Sequence, residues 1–185
     1  MKTITLTSLA RAVALAVATL TLAAGANAAG DKTAYDSAKA SAKTSYETAT
    51  KACDGMSGNA KDVCVLEAKA ARVKTEEEAE AAYKSTPKAR EHATHEIAEA
   101  NYKVAKERCD DKTGNDKDVC VKEAKAAMTK VQADAKASYK STDAKIDAAK
   151  DKREADYKVA AERCDAMSGD AKSACVAQAK AKYKM

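Results

Sequence analysis

The chain has no tryptophan, no phenylalanine and a single proline, Pro87, in 185 residues. Beyond residue 28 it holds one leucine, Leu66, and two isoleucines, Ile97 and Ile146, so its large apolar side chains are mainly a few valines and the tyrosines. A conventional globular interior cannot be built from that inventory, which approaches the composition of disordered chains. Glycine is equally scarce, and its positions mark turns or the N-terminal part of the chain, which leaves no glycine-rich phosphate loop. An excess of one charge is missing too. The 33 basic side chains face 28 acidic ones, and the two signs are interleaved. A nucleic-acid binder would show a basic stripe with stacking aromatics, and none is present. Both histidines sit in one short segment and no G-x-S-x-G occurs, so no nucleophile, base and orienting group can be named. The sequence therefore points away from an enzyme.

What the chain has instead is Ala, Lys, Glu, Arg and Gln, all strong helix formers. Helical propensity is high where burial is poor, and the expected fold is all-α: elongated helical hairpins, or an antiparallel coiled-coil-like bundle, held by disulfides.

The N-terminus reads as an export signal over residues 1–28. Lys2 and Arg11 precede an apolar Ala12–Ala24 stretch, and Ala26-Asn27-Ala28 is a small-x-small cleavage pattern. The stretch falls short of the roughly 20 residues that span a bilayer, so cleavage after Ala28 is favoured over retention as an anchor. No cysteine at the cleavage site invites a lipid. The 33 basic side chains less Lys2 and Arg11 leave 31 against 28 acidic ones in the exported chain. A periplasmic or secreted location follows as an expectation.

Residues 29–185 are a threefold repeat. "CDGMSGNAKDVC" from Cys53 returns as "CDDKTGNDKDVC" from Cys109 and "CDAMSGDAKSAC" from Cys164, at separations of 56 and 55 residues. Each copy has a tyrosine seven places before its first cysteine (Tyr46, Tyr102, Tyr157) and a glycine five places after it (Gly58, Gly114, Gly169). Asn59, Asn115 or Asp170 comes next. Glycine closes helices in the left-handed conformation, and Asn or Asp caps the following one, so each phrase reads as helix, turn, helix, with turns near 57–59, 113–115 and 168–170. Asp62 and Asp118 are expected in the first turn of the second helix, where the dipole favours acid. The cysteines then face each other across an αα-hairpin.

Six cysteines admit fifteen pairings. The repeated local geometry selects Cys53–Cys64, Cys109–Cys120 and Cys164–Cys175. Alanine four places outside each cysteine (Ala49 and Ala68, Ala105 and Ala124, Ala160 and Ala179) lets the helices approach more closely than the usual 8–10 Å. Further out, Tyr46, Tyr102 and Tyr157 are expected opposite Ala71, Ala127 and Lys182. Each bridge is worth about 3 kcal/mol in the chain-entropy model, which matters in a protein that buries little. Between the hairpins, Ser85-Thr86-Pro87 predicts a break, with Thr86 as cap and Pro87 in the first helical position. The matching Ser141-Thr142-Asp143 lacks proline and leaves a continuous helix open. Two straight connections would give a bundle about 75 Å long, with the first and third bends at one end. On exposed faces, Glu80–Lys84, Glu99–Lys103, Asp118–Lys122 and Glu154–Lys158 have favourable four-residue spacing.

Ligand sites are sparse. His92 and His95 are three apart and share a helical segment with Glu91, Glu96 and Glu99, a weak metal site without the HExxH order; a solvated helix face is the competing reading. Cys53 with Met56 and Cys164 with Met167 are soft ligands suited to Cu(I), but Lys112 replaces methionine in the middle copy and bridged cysteines cannot ligate as thiolates. No cofactor is expected, and the cysteines lack the CxxC spacing of redox centres.

The unit "YKVAKERCDDKTGNDKDVCVKEAKA" (Tyr102–Ala126), echoed by "YKVAAERCDAMSGDAKSACVAQAKA", resembles a family of Ala/Lys-rich exported proteins of Gram-negative bacteria, often labelled TolA-like cell-envelope proteins. The resemblance covers nearly all of 29–185. TolA itself shares only a long Ala/Lys/Glu helix with this chain, and none of its functional residues carries over. A compositional likeness to late-embryogenesis-abundant stress proteins is countered by the cysteines, which that class usually lacks. The stapled scaffold without a catalytic set points to a non-enzymatic periplasmic helical protein acting as a structural or interaction module of the cell envelope, with a stress-protective aspect, whose partner is an envelope protein or surface. Two alternatives are a weak metal or small-ligand binder using His92 and His95, and a reversible binder of anionic envelope surfaces through lysine-rich faces.

Overall fold

A computed structural model describes residues 30–185; the expected export signal, 1–28, lies outside the described residues. Those residues form five α-helices and no strand: α1 (Lys32–Ala52), α2 (Gly58–Lys84), α3 (Pro87–Arg108), α4 (Gly114–Cys164) and α5 (Gly169–Tyr183). The fold is thus all-α and stapled by disulfides.

Each helix packs on its neighbours in the chain, α1 on α2, α2 on α3, α3 on α4 and α4 on α5. Among the described residues no other helix pair makes a comparable contact, so the helices lie side by side in one open layer. Such a layer suits this composition, because each seam needs only a strip of small side chains. The buried set is almost entirely alanine and cysteine, with Val104 the one larger member. Its densest part is Ala70, Ala100 and Val104, with Leu66 and Val73 packed against them, between α2 and α3. At the far end of the first hairpin Tyr35 stacks on Tyr83 with ring centroids 5.1 Å apart, which ties the start of α1 to the end of α2.

The bends differ in detail from the sequence expectation. The first helix of each hairpin ends at its first cysteine, and after the first two helices a single 3-10 turn follows (Cys53–Gly55, Cys109–Asp111). The chain then extends through Met56 and Ser57, and left-handed Gly58 (φ 58°) already opens α2; Gly114 and Gly169 repeat this at 56° and 59°. The glycines therefore start the second helix rather than close the first. The caps are correspondingly Ser57, Thr113 and Ser168, all extended and without a side-chain capping bond. Asn59, Asn115 and Asp170 are not caps, because the left-handed step comes one residue earlier and places them inside the helix. The same shift moves Asp62 and Asp118 past the first turn, where α4 and α5 instead carry Asp116 and Asp170.

The two connecting sites resolve differently. At Ser85-Thr86-Pro87 the helix breaks: Ser85 is left-handed, Pro87 occupies the first position of α3, and the Thr86 hydroxyl accepts the Ala89 N–H at 3.0 Å. At Ser141-Thr142-Asp143 nothing interrupts α4, which runs for 51 residues, about 75 Å at 1.5 Å per residue. The first two bends consequently share one end of the layer and the third lies at the other, an arrangement between the two extremes. Pro87 and Thr94 of α3 lie beside Ala135, Tyr139 and Thr142 of α4. Beyond that point α4 projects past the layer, and only α5 folds back along its last turns.

Surface pairing follows local spacing in part. Lys84 donates to Glu80, and Lys103 reaches Glu99 at 2.8 Å. Glu154 turns back to Lys150 at 3.8 Å instead of forward to Lys158. Asp118 and Lys122 are not among the ion pairs of the described residues.

Candidate functional site

The recurring chemical feature is the stapled bend. Cys53–Cys64, Cys109–Cys120 and Cys164–Cys175 are bonded, with Cα separations of 5.8, 5.7 and 5.7 Å. Helices that close must face each other with small residues, and Ala68 and Ala179 are buried next to the first and third bridges. The first cysteine of each pair is fully enclosed, so the sulfur lies against the seam rather than in solvent. Among the described residues no cysteine is free. The pairs therefore offer no thiolate to a soft metal. Bridges of this kind belong to an oxidising compartment.

A second, ionic clasp crosses every bend. Lys61 pairs with Asp54 at 3.6 Å, Lys117 with Asp110 at 3.1 Å and Lys172 with Asp165 at 2.9 Å. The sequence carries the signal, an aspartate directly after each first cysteine and a lysine seven places further on, but helix spacing alone does not pair them. Only the extended Met56-Ser57 step and its counterparts bring the two together.

Around the tyrosines the seam opens into shallow grooves. In the first hairpin Tyr46 lies with Ala71 in a groove of about 140 Å³, and the Arg72 guanidinium covers its ring at 5.6 Å. In the second hairpin Met128 takes the place of Arg72. Tyr102 and Ala127 share a groove of about 290 Å³ with Ile97, Ala124, Met128 and Val131. This groove is apolar because the covering cation is gone, and it can seat a small apolar group but offers no reactive set.

His92 and His95 do not converge. His92 is exposed and lies toward Glu77 and Glu80 of α2, close enough to bear on their ionisation. His95 turns back along α3, its Nε2 3.5 Å from the Glu91 carboxylate without a hydrogen bond to it. Among the described residues no group of three or more His, Cys, Asp or Glu side chains is placed to hold a metal ion. The strip between α2 and α3 is nonetheless electrostatically uneven. Burial pushes the Glu77 carboxyl above its ordinary range, and the nearby Glu80, Glu96 and Glu76 add to this against the opposing His92. Glu80, held by the Lys84 ammonium, is shifted the other way.

No family model, curated protein or solved structure matches the chain. Among the described residues no helix is long and apolar enough to cross a membrane.

Proposed function

We propose that the protein is a non-enzymatic, periplasmic or secreted structural and interaction module of the cell envelope, related in kind to the Ala/Lys-rich exported proteins that its Tyr-x6-Cys-x10-Cys unit resembles. The observation that carries the reading is the disulfide-stapled single layer. A layer has two open broad faces, and this one spends its few apolar side chains on the seams between helices. The faces are left to alternating Lys, Asp and Glu, which hold water and contact other charged surfaces. Three covalent bridges maintain that shape where folding free energy from burial is small.

The bridges and the Asp–Lys clasps fix the bends, the tyrosines fix the spacing of helices just beyond them, and the exposed faces meet partners. A stress-protective contribution is consistent with such a hydrophilic surface, which suppresses association among neighbouring unfolded chains.

In-cell crosslinking of the exported protein, followed by mass spectrometry, tests the reading. The expected result is recovery from the envelope fraction with signal removed, all six cysteines oxidised, and a reproducible envelope partner that is lost when the bridges are replaced by serine pairs. Recovery from the cytoplasm with free thiols, or the absence of any reproducible crosslink, would overturn it.

A further inference from the structure

The repeat places the same interface in the molecule twice, and the fold forms it only once. Residues of α2 recur 56 places later in the first half of α4, and those of α3 recur 55 places later in its second half. Between α2 and α3 that interface holds the Glu67–Arg108 ion pair and the buried trio Ala70, Ala100 and Val104. The counterparts are Glu123 and Arg163 for the ion pair, and Ala126, Ala155 and Val159 for the trio. Every one of the five is kept, yet all are exposed: Val104 retains 8 % of its surface, Val159 54 %. They cannot meet within the chain, because α4 runs straight and sets Glu123 and Arg163 about 60 Å apart.

We infer that this unused face of α4 is a self-association surface, and that its occupant is a second copy of the same chain. Two α4 helices laid antiparallel, crossing a two-fold axis beside Asp143, bring Glu123 of each copy to Arg163 of the other. Ala126 then meets Ala155 and Val159 in the register of the α2–α3 seam. The contact is isologous and closes on itself, so it yields a dimer and not a filament. It also continues the layer. The order α3, α4 of one copy followed by α4, α5 of the other repeats the order α1, α2, α3, α4 already present. The faces are free to do this: α3 and α5 lie on the opposite side of α4, where Ala124, Val131 and Cys164 are turned. Charge complementarity selects the antiparallel sense, since the parallel one would set Arg163 against Arg163. Lys122 and Thr129 stand where α2 has Leu66 and Val73, so each half buries less apolar surface than its counterpart, and the symmetry makes up for this by forming it twice.

Sedimentation equilibrium of the oxidised, signal-free protein up to high micromolar concentration tests the inference. The expected mass is that of two chains. Glu123→Arg and Arg163→Glu, each of which breaks two ion pairs in the dimer, should weaken association about tenfold, and combining them should restore it. Both side chains are exposed, so helicity and bridge formation should be unchanged in the variants. In a mixture of isotopically light and heavy copies, an amine crosslinker should join Lys125 of one copy to Lys158 of the other. A single-chain mass across the range overturns the inference, as does a Lys125–Lys158 link formed only within one copy, or a dimer indifferent to all three variants.

Discussion

Ser85-Thr86-Pro87 and Ser141-Thr142-Asp143 hold matching places in two copies of one repeat, and the chain reverses at the first and passes straight through the second. The difference comes down to one residue, Pro87 against Asp143. Proline has no backbone N–H to give to the turn before it, and its ring forces the preceding residue out of the helical region, so α2 must stop. Thr86 then caps α3 through the Ala89 N–H. Asp143 keeps its N–H, and the helix continues. Two regions result from one sequence pattern. In residues 32–142, α2 and α3 are each supported on both sides. In residues 143–185, a single hairpin stands clear, and the second half of α4 buries only Cys164, whereas α3 buries Ala93, Ala98, Ala100 and Val104.

The largest expected effect separates the regions by their dependence on the bridge. Replacing Cys164 and Cys175 by serine removes about 3 kcal/mol from a hairpin whose second helix has 15 residues, near the limit for an isolated helix. Amide exchange in α5 should rise to unprotected rates. The same change at Cys53 and Cys64 should lower Tm while leaving α2 protected, because α3 still holds it along Leu66, Ala70 and Val73. Equal loss of protection in both hairpins would contradict the comparison.

Next in size is the transfer of the break itself. Proline inside a helix costs about 3 kcal/mol, so Asp143→Pro should bend α4 at Thr142 and allow its two halves to pack as α2 and α3 do. Small-angle scattering should then report a shorter particle, and the two-chain mass inferred above should fall to one. An unchanged maximum dimension would mean that more than the proline distinguishes the two sites.

The all-α, stapled architecture was legible because composition and repeat pointed the same way: helix formers throughout, too little apolar surface for a globule, and one cysteine spacing three times over. The Pro87 break was legible for the same reason, as proline's effect is local. The caps were not. Gly58 and Asn59 identify a turn, but which side of it the left-handed residue falls on depends on the extended Met56-Ser57 step between the bridged cysteines, which the residue types do not reveal. The parting of His92 and His95 was equally hidden, since three-residue spacing leaves each free to choose a neighbour, and those neighbours lie on different helices. Whether α4 would bend depended on a balance between two intact helical options, which propensity alone does not decide.

A smaller effect probes the bends. Gly114 and Gly169 share the left-handed conformation, and a Cβ at either would meet no atom within 4 Å. The cost of Gly→Ala is therefore conformational, about 1 kcal/mol. In the layer, Gly114→Ala should appear as a modest drop in Tm. In the projecting hairpin, Gly169→Ala should appear as faster exchange in α5 with little change in the main transition. A single shared transition shifted equally by both would show that the two regions unfold as one unit.

The smallest effect tests the α2–α3 seam, which the projecting half of α4 lacks. Glu77 has a folded-state pKa above its ordinary value because burial disfavours its charge. Its protonated form carries no such cost, so the penalty is absent below the ordinary glutamate range and grows as pH rises through the folded pKa. Glu77→Gln should consequently raise Tm slightly at neutral pH, by less than the glycine effect, and the two proteins should converge in acid. Glu80 works in the opposite direction: its lowered pKa, set by the Lys84 hydrogen bond, adds stability above the unfolded range and loses it as pH falls. The Glu80–Lys84 bond is common to both proteins, so their difference reads the burial of the Glu77 charge together with its repulsion from the neighbouring carboxylates. Ala133, the counterpart of Glu77 in α4, has no charge to bury, and Ala133→Glu should leave Tm of the single chain unchanged at any pH while its side chain stays in water. A pH-dependent loss of stability in that variant would mean that the face around Ala133 is covered, and its dependence on protein concentration would identify a second chain as the cover.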